Sequence, residues 1–240
     1  MRRCAAILLF GLALWAEPAS AYQIKLYRLT VSVHQAVHPK LTKDEIVGIL
    51  KGASDILQGH ADSAILQGHT GTALHNSCPV GFELKGPVQT FASAPAVITK
   101  EEELEAAHAV PADVKVVQTI TFCVGEARPH GVPGCAWRRY GKRTVIVARD
   151  GFPPLLGSPQ HDRGIGPVLW AHEFGHTTDL LHRYDKGILS PSENLMTPCD
   201  LEAFSQSIND DECAHFRRGP VTRYRQGGDA CQTSLQPRND

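Results

Sequence analysis

The segment VLWAHEFGHTTDLLH, residues 168–182, is the part of the chain that decides the fold. His172 and His176 are four residues apart, so on a helix their imidazole rings lie on one face. Both rings can then bind one zinc ion, which takes histidine nitrogens at about 2.0–2.1 Å. Glu173 follows the first histidine, where its carboxylate reaches a zinc-bound water without binding the metal. The spacing therefore predicts a helical zinc site with its own general base.

A third histidine and a downstream methionine extend this pattern. His182 follows His176 by six residues, and Met196 lies in the segment NLMTP, residues 194–198. The arrangement resembles the long motif of the metzincin zinc metalloproteases, His-Glu-x-x-His-x-x-Gly-x-x-His, which is followed by a methionine turn. The Met-x-Pro form of that turn is more similar to the matrixin and adamalysin branches than to the astacin and serralysin branches.

The resemblance implies an endopeptidase whose zinc ion has three histidine ligands. These are His172, His176 and His182. Glu173 would take a proton from the attacking water and pass it to the departing amine. Met196 would form a hydrophobic floor beneath the metal, and Pro198 would line the pocket for the residue after the scissile bond.

One position departs from the family motif, because Asp179 stands where the metzincins have glycine. That glycine lets the chain turn sharply, in a left-handed backbone conformation that costs most residues about 1–2 kcal/mol. Asp and Asn tolerate the conformation best among the other residues, so the turn toward His182 is still expected. The alternative is a carboxylate third ligand from Glu193 or Glu202, as in thermolysin-like peptidases.

The N-terminus has the pattern of a secretory signal peptide. Arg2 and Arg3 precede an apolar run over residues 4–15, and the small residues 19–21 form a cleavage site. The run is shorter than the roughly 20 apolar residues that a membrane-spanning helix needs. We therefore expect residues 1–21 to be removed and the product to be secreted or periplasmic, without membrane attachment.

The cysteines agree with export into an oxidising compartment. Of the seven, six follow the signal peptide: Cys78, Cys123, Cys135, Cys199, Cys213 and Cys231. An even number predicts three disulfides, for which 15 connectivities exist. Cys123 and Cys135 enclose a short loop with Gly and Pro and are the first expected pair. We expect Cys213 to pair with Cys199 or Cys231.

Composition predicts one globular domain. The chain has 240 residues, of which 42% are hydrophobic and 20% charged, and its formal net charge is −1. That length can bury a substantial core, and the balanced charge argues against a nucleic-acid partner. We expect residues 22–240 to form a single monomeric catalytic domain, with an upper part at 22–182 and a lower part at 183–240. Its expected partner is a protein or peptide substrate.

Patterns outside the motif predict the other elements of an α/β fold. Branched and aromatic runs predict strands at 24–33, 82–91, 114–123 and 144–148. Together with the resemblance, they predict a metzincin-like zincin domain of the α/β (α+β) class. Its parts are a twisted mixed sheet, a backing helix, an active-site helix and a small irregular C-terminal subdomain.

Helix starts are marked by capping residues. Thr42 and Glu45 form a capping box that begins a helix over 43–58. Thr99 and Glu102 form a second box before a short acidic helix. A further helix begins after Asn209 and ends near Arg218. The Gly- and Pro-rich residues 150–167 are expected to form a surface loop.

Two other functions remain open from the sequence. One is a zinc peptidase of another type, with a carboxylate third ligand. The other is a disulfide-stapled binding module that has lost activity, although a binding protein needs no general base such as Glu173. Control of activity has two alternatives as well: export in an active form, or restraint by a separate protein inhibitor.

Overall fold

The computed structural model describes residues 23–59, 78–123, 126–127, 131–137, 144–151, 162–183, 194–196 and 206–221. The strands are β1 (Lys25–Leu29), β2 (Val31–His34), β3 (Val80–Leu84), β4 (Gln89–Phe91), β5 (Val97–Ile98), β6 (Val114–Val117), β7 (Thr119–Ile120), β8 (Phe122–Cys123), β9 (Glu126–Ala127), β10 (Gly134–Trp137) and β11 (Thr144–Ala148). The helices are α1 (Lys43–Gln58), α2 (Glu101–Ala109), α3 (Asp162–Thr177) and α4 (Asp210–Arg218), and a 3-10 turn covers Arg149–Gly151.

A mixed five-stranded sheet runs in the spatial order β10-β11-β6-β2-β4. Its inner pairs are parallel, whereas β10 at one edge is antiparallel to β11, with Gly134 opposite Val147. Strands β1 and β3 form a separate parallel pair. Each is followed in the chain by a strand of the larger sheet, β1 by β2 and β3 by β4. The predicted mixed α/β architecture is therefore present.

Helices cover both faces of the sheet. In β11, Val145 and Val147 face the core shared with α1 and α3, whereas Ile146 and Ala148 face the core shared with α2. This alternation follows from the two-residue period of a strand. No described helix is long and apolar enough to cross a membrane.

Helix α1 has the predicted bounds and start. The Glu45 backbone N–H donates to Thr42 Oγ1 over 3.2 Å, and the Thr42 N–H donates to Glu45 Oε2 over 2.7 Å. Its buried face includes Ile46, Leu50 and Leu57, which pack against the sheet and α3. Helix α4 likewise begins after Asn209 and ends at Arg218, as predicted.

Three predicted strands are interrupted. The strand at 24–33 breaks at Thr30, whose N–H donates to the Asp113 carboxylate and not to a neighbouring strand. The strand at 82–91 breaks where Gly86 adopts a positive φ of 74°. The strand at 114–123 breaks at Gln118, whose N–H turns to the Ala96 carbonyl. Pattern alone missed these breaks because each depends on a contact or a backbone angle.

Two helix starts also differ from the predictions. At α2 the N-cap is Lys100, without a side-chain cap bond, and Glu103 and not Glu102 accepts hydrogen bonds from the Thr99 N–H and hydroxyl, so the predicted capping box is wrong. Helix α3 begins at Asp162, six residues before 168, inside the predicted loop. Its first turns pack against α1, where Ile165 contacts the core, so tertiary packing overrides the low helix propensity of Gly and Pro.

Two disulfides lie in the described part of the chain. Cys123 pairs with Cys135, as predicted. Cys213 pairs with Cys78, so the expected pairing of Cys213 with Cys199 or Cys231 is wrong. The pairing has a physical basis, since Cys78 and Cys213 belong to one core although 135 residues separate them. Cys199 and Cys231 lie outside the described residues, as does the predicted signal peptide.

Candidate metal centre

Helix α3 carries the first two predicted ligands on one face. His172 is buried, and its Nε2 lies 3.1 Å from Nε2 of His176. The regular helix is enough to bring the rings together, because residues four apart are neighbours on its surface. This part of the predicted geometry is present in the structure.

The helix ends in a Schellman motif, which turns the chain back toward the histidines. The Leu180 N–H donates to the Gly175 carbonyl over 3.3 Å, and the Asp179 N–H donates to the His176 carbonyl over 3.2 Å. In this motif the residue at Asp179 is left-handed and usually glycine, and Asp179 has a φ of 72°. Aspartate thus adopts the left-handed conformation that glycine usually supplies at this position of the motif.

The turn delivers the third histidine to the other two. His182 Nε2 lies 3.0 Å from His176 Nε2, and one ring nitrogen from each of the three histidines lies within 4.8 Å of the others. Among the described residues, this is the only group of three or more His, Cys, Asp or Glu side chains with such spacing.

Backbone carbonyls fix which nitrogen of each helical histidine faces the cluster. His172 Nδ1 lies 2.6 Å from the Leu195 carbonyl, and His176 Nδ1 lies 2.9 Å from the Leu180 carbonyl. A carbonyl oxygen can only accept, so in both rings Nδ1 carries the hydrogen and Nε2 keeps its lone pair. Metal-binding histidines are commonly oriented in this way.

Burial also keeps one ring in the form that binds metal. The pKa of His172 is lowered from 6.5 to about 3, chiefly because burial disfavours the charged ring, and also because His182 lies close. The bond to the Leu195 carbonyl acts in the opposite direction and is the smallest of the three effects. At neutral pH His172 is therefore neutral and can act as a ligand.

These donors fit a zinc ion. Nitrogen ligands at tetrahedral angles and 2.0–2.1 Å from zinc lie about 3.3 Å apart. The Nε2 atoms of His172 and His182 lie close to this distance from Nε2 of His176, at 3.1 and 3.0 Å. Two bare nitrogens at that distance repel each other unless a cation lies against both lone pairs. Three imidazole ligands would leave a fourth position on the metal, as in catalytic zinc sites.

Glu173 follows His172 on α3 and lies against the edge of the sheet. Its side chain is only 5% exposed. A Cβ placed on Gly134 of β10 would lie 2.6 Å from both Cγ and Cδ of Glu173, so the carboxylate rests directly on the strand backbone. The sheet edge therefore meets α3 at the residue that follows the first histidine.

The predicted methionine turn passes beneath the helix. Met196 is fully buried, and a Cβ on Gly175 would lie 2.7 Å from its Sδ. The Arg183 N–H donates to the Met196 carbonyl over 2.7 Å, which ties this turn to the segment that carries His182. Pro198, the predicted pocket wall, lies outside the described residues, as do the alternative ligands Glu193 and Glu202.

Helix α4 contacts the turn after α3 through a hydrogen bond and an ion pair. His215 Nδ1 donates to the Thr178 carbonyl over 2.8 Å. Arg183 Nη1 donates to Glu212 Oε2 over 3.0 Å, and Arg183 Nη2 donates to Asn194 Oδ1. The Arg183–Glu212 ion pair is largely buried, with side chains 14% and 6% exposed.

Sequence analysis missed three contributors to the site. The Leu195 carbonyl and the Arg183 side chain carry no motif, because their roles depend on contacts between distant segments. Gly134 was missed because the Pro133-Gly134 pair is typical of a turn, and residues 134–137 were not predicted as a strand. The expected disulfide at Cys135 pointed to this segment without showing its position in the sheet.

The fold is similar to that of solved proteins. One is mature mirolysin from Tannerella forsythia, determined in complex with a cleaved peptide. The TM-score is 0.54 at 13% sequence identity, and the match covers 81% of this chain and 91% of mirolysin. A likeness at this identity shows the fold and not the activity. No protein-family model matches the sequence, and no curated protein matches it in sequence.

Proposed function

We propose that the protein is an exported, zinc-dependent endopeptidase of metzincin type. The observation that carries the proposal is the convergence of three histidine Nε2 atoms at the helix that also carries the buried Glu173, the residue after His172. The fold shared with mirolysin, whose structure holds a cleaved peptide, supports a peptide substrate. The disulfides support export, since such bonds persist in oxidising compartments.

The proposed ligands are His172, His176 and His182, each through Nε2. When bound, zinc polarises the peptide carbonyl and lowers the pKa of water toward about 7. Glu173 accepts the proton of the attacking water and donates it to the amine of the departing product.

Other proposed roles concern support. Met196 forms an apolar floor under α3 and keeps the helical histidines in register. Pro198 lines the pocket for the residue after the scissile bond. Residues 22–240 form a single domain, and residues 1–21 act as the signal peptide. The expected binding partner is an extended protein or peptide segment.

The test is peptide cleavage by mature protein made in an oxidising compartment. We expect the wild type to cleave a mixed quenched-peptide library. Glu173→Ala should bind zinc as the wild type does and lose at least about 100-fold in kcat, the usual contribution of a general acid–base. Glu102→Ala, at an exposed glutamate on α2, is the matched control and should keep full activity.

Each outcome separates the candidate functions. Equal cleavage by the wild type and Glu173→Ala would contradict the proposal. Zinc bound without cleavage by either protein would favour the binding module. Metal content is measured on the same samples, so a loss of zinc cannot be mistaken for a loss of the base.

A further inference from the structure

Gly134 is the part of the sheet that lies closest to Glu173. It begins the edge strand β10 and pairs with Val147 of β11. A Cβ on Gly134 would approach both Cγ and Cδ of Glu173 to 2.6 Å, well below the distance at which carbon atoms normally pack. No side chain at this position is compatible with the observed place of the carboxylate.

The backbone itself does not require glycine here. Gly134 has no positive φ, unlike Gly131 three residues earlier, so any L residue could adopt its conformation. Glycine also weakens a strand, since it has no side chain to pack and loses more backbone freedom on folding. The contact with Glu173 is the feature of the structure that explains a glycine at this position.

The strand is fixed by a hydrogen bond and by a disulfide, whereas the contact on Glu173 falls on the end of a flexible side chain. The Ala148 N–H donates to the Pro133 carbonyl over 2.8 Å, and Cys135 is buried in a disulfide with Cys123. An added side chain at residue 134 would therefore displace the end of Glu173 and leave the strand in place. The backbone of the edge strand therefore limits where the carboxylate can lie.

We propose that Gly134 is a positioning residue: its missing side chain lets the strand backbone hold the Glu173 carboxylate in its working place. The inference rests on the proposed function, in which Glu173 moves the proton. It adds that the base is oriented from outside its own helix, by a strand that the disulfide fixes. Because misplacement of a catalytic group by about 1 Å can cost 100-fold in rate, the effect should be large.

The kinetic test compares Gly134→Ala with Gly48→Ala. A Cβ on Gly48 would meet no atom within 4 Å, so this variant should keep wild-type kinetics. We expect Gly134→Ala to lower kcat by about 30- to 100-fold, to leave KM within about threefold and to bind zinc with wild-type affinity. Unchanged kcat would overturn the proposal, and so would a loss confined to zinc affinity.

A second measurement does not depend on activity. In metal-free protein, Gly134→Ala should lower Tm by about 2–4 °C, because the new Cβ crowds Glu173. In the Glu173→Ala background the same change should leave Tm equal or higher, since the space is then free and alanine restricts the unfolded chain. Equal losses in both backgrounds would overturn the proposal.

The two measurements also separate this inference from the proposed function. If the wild type cleaves no peptide, the peptidase proposal fails, yet the Tm comparison still reports the contact. If the wild type is active and the Tm effects are equal in both backgrounds, only the role of Gly134 fails. Should Gly134→Ala not fold, folding of the double variant with Glu173→Ala supports the contact, and its failure to fold contradicts it.

Discussion

Two of the clustered histidines lie on a regular helix, and the third lies five residues beyond its end. His172 and His176 owe their proximity to helix geometry within α3. His182 reaches them through a turn with a left-handed aspartate at Asp179, next to Arg183, which contacts the methionine turn and α4. Local helix structure thus positions two of the histidines, whereas contacts with distant segments position the third.

Because of this difference, substitutions in the two regions should disturb the histidine cluster in different ways. A change in α4 or its attachment should disturb His182 while α3 keeps its two histidines together. A change on α3 itself should remove a ligand without loosening the turn. Variants that act on one region and not on the other therefore test the comparison directly.

The largest effect is expected from the disulfide that ties α4 to the core. The Cys78–Cys213 bond closes a separation of 135 residues, against 12 for Cys123–Cys135. By chain entropy, replacing both cysteines with alanine should cost about 5 kcal/mol for the first pair and about 3 kcal/mol for the second. Urea unfolding measures both. Equal losses would show that packing, and not the disulfide, holds α4 against the core.

The next largest effects are expected from substitution of the proposed zinc ligands. Zinc sites bind with about 10–16 kcal/mol over four positions, so each ligand contributes about 2.5–4 kcal/mol, or roughly 100- to 1,000-fold in affinity. We expect His172→Ala and His182→Ala to lose about this much zinc affinity in a chelator competition. His172→Ala should also destabilise the metal-free protein more than His182→Ala does, because His172 is buried and donates to the Leu195 carbonyl, whereas His182 is partly exposed.

Unchanged zinc affinity of His182→Ala would contradict the three-histidine site. It would favour a carboxylate from a segment outside the described residues. Equal losses of stability in metal-free His172→Ala and His182→Ala would instead contradict the different support proposed for the helical histidine and the turn histidine.

A smaller loss of stability and zinc affinity is expected from the Arg183–Glu212 ion pair, which joins the His182 segment to α4. Glu212→Gln keeps the hydrogen-bonding group of the helix cap but removes the charge opposite Arg183. Loss of one charge from a largely buried pair should cost about 2 kcal/mol and lower zinc affinity about tenfold. Asp211→Asn, at the exposed neighbouring position, should do neither. If both variants behaved alike, α4 would not support the His182 segment.

The same contrast explains what could be predicted from sequence. The motif at 172–176 predicted the helical pair, because four-residue spacing fixes the geometry wherever a helix forms. The capping residues Thr42 and Asn209 predicted the starts of α1 and α4 for the same local reason. These features need only their immediate neighbours in the chain.

Features that join distant segments could not be predicted in this way. The partner of Cys213 is Cys78, which lies 135 residues away and carries no spacing signal. The role of Gly134 depends on a strand edge that meets α3, and a Pro-Gly pair is more typical of a turn. The breaks at Thr30 and Gln118 likewise depend on Asp113 and Ala96.

The smallest expected effect concerns the left-handed residue. Asp179 has a φ of 72°, and its Oδ1 is buried without a hydrogen-bond partner among the described residues. Asp179→Gly removes both costs and should raise the free energy of unfolding by about 1 kcal/mol, or Tm by about 2–4 °C. Asp179→Ala keeps the backbone cost and should not reach that gain. A loss of stability in Asp179→Gly would show that the carboxylate holds the turn.

The most direct test of the metal site is zinc K-edge X-ray absorption on the purified mature protein, with His182→Ala measured alongside. We expect three imidazole nitrogens at about 2.0–2.1 Å and one water oxygen in the wild type, and two imidazoles in the variant. A wild-type spectrum with two imidazoles and a carboxylate, unchanged by His182→Ala, would contradict the proposed ligand set.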